Sequence, residues 1–207
     1  MVQAKFDNTP KSVGGNLFAL CFNIFNIRTL VRDNNLNKIF TLFQNTGLRW
    51  LWLTLICLVV DQVTKQWIVG SFNLYESIEI LPVFSLTYVH NLGAAFSFLA
   101  DQGGWQRWFF TAIAAIASIV FIVWLAKTPK SDTLLSIAFA LMLSGAMGNL
   151  IDRALFGYVI DFLDFHWSGN HFPAFNVADS MIFIGAALMI LDSFTSDETS
   201  TESKNSK

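Results

Sequence analysis

The sequence predicts an all-α membrane protein with four transmembrane helices and a small β-structured cradle on the outer membrane surface. Of its 207 residues, 54% are hydrophobic and only 14% are charged, whereas a soluble domain carries about 25% charged residues. Four separate stretches are apolar over roughly 20 residues each, the length that crosses the hydrocarbon core of a bilayer. A net charge of −2 without a basic patch argues against nucleic acid as a partner.

The four predicted spans occupy most of the chain between residues 48 and 194. Trp and Phe lie at the ends of the second span, as in the aromatic belts that form at membrane–water interfaces. Four spans also return the chain to the side of the membrane on which it started. The predicted spans are Leu48–Ile68, Trp105–Ala126, Thr133–Ile151 and, approximately, Ala174–Phe194.

Lys and Arg are distributed unevenly along the chain. They occur before the first span, in the turn between the second and third spans, and in the C-terminal tail. By contrast, residues 69–106 contain neither, and residues 152–176 contain only Arg153. Because cytoplasmic segments are enriched in Lys and Arg, this bias predicts cytoplasmic termini and two long outer loops, 70–104 and 152–175.

The two outer loops differ in character. Within the first loop, alternating and β-branched residues from Ile78 to Val89 predict a small strand unit lying on the outer membrane surface. Residues 154–173 of the second loop are rich in aromatic residues and glycine, which predicts a half-embedded lid or wall.

The segments that flank the membrane domain are polar. Residues 1–47 are Asn-rich, and their apolar patch at 17–25 is too short to span a bilayer. Residues 195–207 are acidic and rich in Ser and Thr. The predicted organisation is therefore a flexible cytoplasmic extension over 1–47, a membrane domain over 48–194, and a disordered cytoplasmic tail over 195–207.

Charged side chains inside spans are functional candidates, because each costs roughly 2.5 to 3.5 kcal/mol to insert. Asp61 and Lys65 in the first span are spaced i,i+4, so they share a helix face and can pair. We interpret this pair as structural support rather than direct chemistry. Asn91, which precedes Gly93, marks a turn that its spacing does not distinguish from an ordinary hairpin end.

The third span combines small and polar residues near its end. Gly145 and Gly148 form a small-residue face that lets another helix approach closely. Asn149 and Arg153 lie on one face of this helix, and we interpret Asp152 and Arg153 as a structural pair. In the loop that follows, Asp164 is interpreted as a solvated carboxylate without a chemical role.

Asn176 and Asp179 open the fourth span. They fit the N-cap and the acidic third residue of a capping box, where a helix N-terminus favours negative charge. This explains one tolerated carboxylate but not a second, Asp161, which lies between apolar neighbours at the same predicted depth. Two carboxylates in a partly dry site share a proton, so one can activate water while the other protonates a carbonyl. We predict that Asp161 and Asp179 form a catalytic pair.

Five motifs occur in a fixed order along the chain: DQVTK, NLGAAFSFL, GAMGNLIDR, VIDF and FNVADS. Together with four spans, they resemble lipoprotein signal peptidase, the type II signal peptidase family of bacteria. The resemblance covers roughly residues 48–194. In one departure, the third motif reads SGAMGN where the family often has two adjacent glycines. Because Ser144 is small, we expect close packing to survive.

The resemblance implies roles for the matching residues. The acids of the VIDF and FNVADS motifs, Asp161 and Asp179, would be the catalytic dyad. The asparagines of the third and fifth motifs would hydrogen-bond the dyad or the substrate backbone, and the arginine would orient polar groups near it. The Asp and Lys of the first motif would support the site wall. The matching substrate-binding or supporting residues are Asn91, Asn149, Arg153, Asn176, Asp61, Lys65, Gly145 and Ala178.

The resemblance also implies an activity and a location. A family member would remove the signal peptide from diacylglyceryl-modified prolipoproteins, cutting before the lipidated cysteine, without a metal or organic cofactor. It would be a monomer embedded in membrane lipid of the bacterial inner membrane, with its site near the periplasmic face. The strand unit of the first loop would then be a periplasmic cradle. Cys21 and Cys57 form neither a disulfide framework nor a metal-type spacing.

Two other classes of protein remain open on the residues alone. Another intramembrane aspartyl protease, such as a prepilin-type peptidase, would be expected to have more spans and a different context around its acids. A small transporter subunit could instead use buried Asp residues to carry protons. Replacing Asp161 or Asp179 with Asn separates the protease hypothesis from the transporter hypothesis, since only a protease that uses these acids would lose cleavage of a lipidated substrate.

Overall fold

The computed structural model of the protein describes residues 35–93 and 104–205, with side chains up to residue 195. Within these residues, four helices are long and apolar enough to cross a membrane, which confirms the four predicted spans. The observed spans exceed the predicted ones at some ends by one to four residues. They are Gly47–Ser71, Trp105–Lys127, Thr133–Leu155 and Val177–Thr195.

The third of these helices forms the core of the bundle. The four helices are α1 (Leu51–Ser71, preceded by a 3₁₀ turn at Gly47–Trp50), α2 (Trp105–Lys127), α3 (Thr133–Leu155) and α4 (Val177–Asn205). In α3, 61% of the apolar stretch is buried inside the protein, against 11 to 22% in the other three spans. Small residues such as Ala138, Ala140 and Ala146 line this buried surface. The outward faces of the other helices are therefore left for contact with lipid.

Three hydrogen bonds join the 3₁₀ turn before α1 to the α2–α3 turn and the first residue of α3. Gly47 donates its N–H to Thr128 O over 2.9 Å. The Arg49 side chain donates to Lys130 O at 2.9 Å and to Thr133 Oγ1 at 3.1 Å. These bonds hold the start of α1 and the α2–α3 turn at one end of the bundle. The sheet lies at the other end, which we call the sheet end.

Four antiparallel strands form one sheet in the order β1-β2-β3-β4. β1 (Ser77–Leu81) and β2 (Phe84–Asn91) confirm the strand unit predicted in the first loop. Over residues 154–173, where the sequence predicted a half-embedded lid or wall, the structure has two strands that extend the same sheet, β3 (Val159–Trp167) and β4 (Asn170–His171). β3 is rich in β-branched and aromatic residues, which favour strands, and its first four residues are buried.

The flanking segments are described only in part. Residues 35–45 are helical, and residues 35–42 belong to a different compact unit from residues 43–205. Residues 1–34, which make up most of the predicted extension, and residues 94–103, which include most of the NLGAAFSFL motif, lie outside the described residues. The structure continues α4 to Asn205, where the sequence predicted a disordered tail from residue 195. Residues 195–205 contain neither Pro nor Gly to end the helix.

Candidate active site

The polar residues singled out in the sequence meet at the sheet end. β3 carries Asp161, the first turn of α4 carries Asp179, and the last turns of α1 and α3 face them. Hydrogen bonds and ion pairs connect these elements although they are far apart in the chain. The connected residues are Asp61, Lys65, Asn91, Asn149, Asp161, Asn176 and Asp179.

α4 begins with a capping box, as predicted. Asn176 Oδ1 accepts the Asp179 N–H at 2.9 Å, and Asp179 Oδ2 accepts the Asn176 N–H at 3.3 Å. In addition, Asn176 Nδ2 donates to Asp161 Oδ1 at 2.7 Å. A single residue, Asn176, therefore contacts both acids and brings their carboxylates into one site.

The asparagine side chains have fixed orientations. Asn149 Oδ1 accepts from Lys65 Nζ at 3.1 Å. Because an ammonium group can only donate, the amide nitrogen of Asn149 must point the other way, and it donates to Asp179 Oδ1 at 2.8 Å. Asn176 is oriented in the same manner, since its oxygen caps α4 and its nitrogen faces Asp161. Each acid thus receives a donor from a preset amide.

Asp161 occupies a nearly closed environment. Its side chain accepts from Asn176 and, at 2.9 Å, from Asn91 Nδ2, and the residue is only 2% exposed. Burial and, to a smaller extent, the negative charge of Asp179 raise the pKa of Asp161 from 3.8 to about 7. The two amide donors and the charge of Lys65 act in the opposite direction. Asp161 can therefore hold or release a proton near neutral pH.

Lys65 lies between two carboxylates. Its Nζ is 3.0 Å from Asp61 Oδ2, which confirms the predicted i,i+4 pair, and 2.9 Å from Asp152 Oδ2. The predicted pair of Asp152 and Arg153 is wrong, since Asp152 is bound to Lys65 instead. Adjacent helix residues do not face each other, so Asp152 and Arg153 point toward different neighbours.

Arg153 connects α3 to the end of β2. Its guanidinium donates to Gly93 O at 2.9 Å and lies 5.5 Å from the centre of the Phe110 ring. Gly93 in turn donates its N–H to Asn91 Oδ1 at 3.0 Å, which directs the Asn91 amide nitrogen toward Asp161. Arg153 thus anchors the backbone beside the candidate site, in keeping with the orienting role that the resemblance implies.

Two glycines of α3 let α4 and α1 come close. A Cβ added at Gly145 would overlap Ala178 O and lie 2.6 Å from Ile182 Cγ1. A Cβ added at Gly148 would overlap Asp61 Oδ2 and lie 3.1 Å from the Cβ of Ala178. The small-residue face predicted in the third span is therefore a contact surface, and Ala178 is its small partner on α4.

The structure changes the interpretation of two further residues. Asp164 was expected to be solvated, but it is 6% exposed and accepts from Thr87 Oγ1 at 2.9 Å and pairs with His171 Nδ1 at 2.9 Å. Sequence reasoning missed Gln62, whose Nε2 donates to Asp61 Oδ2 at 3.1 Å and to Asp152 Oδ1 at 3.0 Å. Its only sequence signal was its position next to Asp61 in a predicted span.

The described part of the chain contains no group of three or more His, Cys, Asp or Glu residues that could hold a metal ion.

Four membrane-spanning helices, a sheet at one end, and two acids joined by asparagines define a multi-pass membrane protein with an acidic polar site. Over residues 53–195, the chain matches the family described as Signal peptidase (SPase) II. The chain therefore belongs to the signal peptidase II family.

Similar proteins agree with this assignment. The chain is 56% identical over 154 residues to the lipoprotein signal peptidase of Shewanella halifaxensis, covering 74% of this chain and 91% of that protein. It is 54% identical over 168 residues to the lipoprotein signal peptidase of Alteromonas mediterranea, covering 79% and 92%. A solved structure of a bacterial membrane enzyme, obtained by the in meso method, superposes with a TM-score of 0.65 at 32% identity, covering 72% of this chain and 88% of that one.

Proposed function

We propose that this protein is an intramembrane aspartic endopeptidase that removes the signal peptide from diacylglyceryl-modified prolipoproteins, cutting before the lipidated cysteine. The observation that carries the proposal is the contact of Asn176 with both Asp161 and Asp179. Two carboxylates held together in a partly dry site share a proton, and such a pair hydrolyses peptide bonds in aspartic proteases. Membership of the signal peptidase II family and relatives named lipoprotein signal peptidase support the substrate.

The two acids have different environments, which suggests different roles. Asp179 lies in the first turn of α4, where the helix dipole favours negative charge, and we assign it as the base that takes a proton from water. Asp161 has a pKa raised to about 7 by burial, and we assign it as the acid that protonates the scissile carbonyl. When the tetrahedral intermediate breaks down, its C–N bond breaks and Asp179 gives its proton to the departing amine of the lipidated cysteine. Asp161 takes a proton back from a hydroxyl of the intermediate as the new carboxyl group forms.

The remaining site residues support this pair. We assign Asn149 and Asn176 to hold the dyad, and Asn91 and Arg153 to shape the wall that receives the substrate, on the basis of their contacts. The distribution of Lys and Arg supports cytoplasmic termini and a site near the periplasmic face of the inner membrane. A site at that depth suits a substrate whose signal helix and acyl chains both arrive from within the bilayer.

The test is cleavage of a purified lipidated prolipoprotein by the purified full-length protein in detergent. Asp161→Asn and Asp179→Asn should each abolish cleavage, because neither variant can form the proton-sharing pair. Asp61→Asn should lose activity only in part, since Asp61 contacts the site through the α4 backbone.

The control is Asp164→Asn, which removes a buried carboxylate of β3 that contacts Thr87 and His171. This variant should cleave the substrate like the unmodified protein. Normal cleavage by Asp179→Asn would rule out the assigned dyad and with it the aspartic mechanism. Thermal unfolding of each variant should be recorded to separate lost chemistry from lost folding.

A further inference from the structure

Four side chains form a cluster beside the proposed dyad: Asp61, Gln62 and Lys65 of α1, and Asp152 of α3. We call this cluster the clamp. We propose that Asp152 and Gln62 act within the clamp as positioning residues, holding the two chain segments that carry Asp161 and Asp179. The inference rests on the proposed function and adds two residues to its machinery.

Each carboxylate of the clamp binds the backbone directly before a proposed catalytic acid. Asp61 Oδ1 accepts the N–H of Ala178 at 2.8 Å, one residue before Asp179. Asp152 Oδ2 accepts the N–H of Ile160 at 3.2 Å, one residue before Asp161. Because the peptide unit is planar and rigid, fixing these N–H groups restricts where the next Cα, and hence each acid, can lie.

The other two members of the clamp join its carboxylates to each other. Lys65 Nζ lies within 3.0 Å of both Asp61 and Asp152. The Gln62 amide donates to both, and at 3.3 Å to Gly148 O on α3. Asp61, Lys65 and Asp152 are 0% exposed, so their positions are set by each other rather than by water. The separation of the two backbone segments is thereby fixed from α1 and α3.

The clamp is also coupled electrostatically to the two proposed catalytic acids. Lys65 reaches Asp179 through the oriented amide of Asn149. The charged groups that face Asp161 are Lys65 from α1, Arg153 from α3 and Asp179 from α4, with Asp152 bound to the lysine. The charge of Lys65 lowers the pKa of Asp161. Removing the negative charge of Asp152 leaves Lys65 less neutralised, so the pKa of Asp161 should fall.

Asp152→Asn tests the proposal in the full-length protein in detergent, with a lipidated peptide substrate. Asparagine keeps the size of the side chain but removes the charge. It has one acceptor oxygen where the carboxylate has two, so it cannot accept from both Gln62 Nε2 and the Ile160 N–H. We expect kcat to fall by about 10- to 100-fold, the scale of a small misplacement of reacting groups, with KM changed less than about twofold. We also expect the pH–rate profile to move toward lower pH by about one unit, the scale of one nearby charge.

Asp164→Asn is the matched control, since it also neutralises a buried acid close to Asp161 in the chain but outside the clamp. Its pH–rate profile should not move. If Asp152→Asn keeps the original kcat and pH–rate profile, the positioning role is wrong, even if the variant melts at a lower temperature. Inactive Asp161→Asn beside a normal Asp152→Asn would overturn this inference and leave the proposed function standing.

Gln62→Leu provides a second measurement if Asp152→Asn does not fold. Gln62 is only half-buried, so its replacement should leave the bundle intact while removing the amide that joins Asp61 to Asp152. We expect kcat to fall several-fold with KM unchanged. An unchanged kcat in folded Gln62→Leu would contradict the clamp as a positioning device.

Discussion

Two pairs of buried carboxylates lie next to each other in this protein, and they differ in what surrounds them. Asp61 and Asp152 have the ammonium group of Lys65 between them. Among the described residues, the hydrogen bonds to Asp161 and Asp179 come from amide groups, and neither acid forms an ion pair within 4.0 Å. The same residue type is therefore bound directly to a cation in one pair, whereas in the other pair its direct hydrogen bonds come from amide groups.

The difference teaches which carboxylates can react. A buried carboxylate that lies within 3.0 Å of a lysine ammonium has its charge offset by that cation, and removing either partner leaves the other buried without compensation. A buried acid surrounded by amides pays for ionisation through desolvation, so its pKa moves toward neutrality, as it does for Asp161. The first pair suits a fixed scaffold, whereas the second pair suits proton transfer.

The largest effect should follow from breaking the neutralised pair. Lys65→Met leaves Asp61 and Asp152 buried without their cation, a change that costs about 3 to 5 kcal/mol when one partner of a buried ion pair is removed. We expect this loss in the free energy of unfolding, measured by thermal unfolding in detergent through tryptophan fluorescence. Lys127→Met, at the exposed end of α2, should change stability by less than about 0.5 kcal/mol. Equal melting of the two variants would show that Lys65 does not neutralise the pair.

The raised pKa of Asp161 should make the stability of the protein depend on pH. The pKa of Asp161 is raised from 3.8 to about 7 in the fold, so its contribution to stability is complete below about pH 4. It is lost between about pH 4 and pH 7, by up to about 1.4 kcal/mol per pH unit, and changes little above that range. Asp161→Asn lacks this titration, so the unmodified protein should lose Tm relative to the variant between pH 4 and pH 8. A Tm difference that stays constant over this range would mean that Asp161 ionises as easily in the fold as in the unfolded chain.

The sequence was sufficient to predict the contacts between residues that are close together in the chain. Hydropathy predicted the four spans, the i,i+4 spacing predicted the contact of Asp61 with Lys65, and the order of residues predicted the Asn176 capping box. Each of these depends on neighbours within a few positions, where helix geometry fixes which side chains can meet.

The long-range part could not be read from spacing. The bond of Asp152 to Lys65 joins two helices, and the bond of Asp61 to the Ala178 N–H joins α1 to α4. β3 was missed because its pairing with β2 is set by a partner strand some 70 residues away. Gln62 gave little signal because an uncharged side chain in a span raises no question of charge burial. Such contacts follow from packing, which one sequence without structure does not determine.

The smallest effect on stability should come from adding a methyl group at Gly148, which lies between Asp61 and the first turn of α4. Gly148 faces Asp61 Oδ2 and the Cβ of Ala178. Gly148→Ala must therefore displace either the Asp61 side chain or the first turn of α4. We expect a loss of about 1 to 3 kcal/mol, the usual cost of overpacking. Gly70→Ala is the matched control, because its Cβ would meet nothing within 4 Å, and replacing a helical glycine with alanine stabilises by up to about 1 kcal/mol. If both alanines stabilised the protein equally, α1, α3 and α4 would not be in close contact at Gly148.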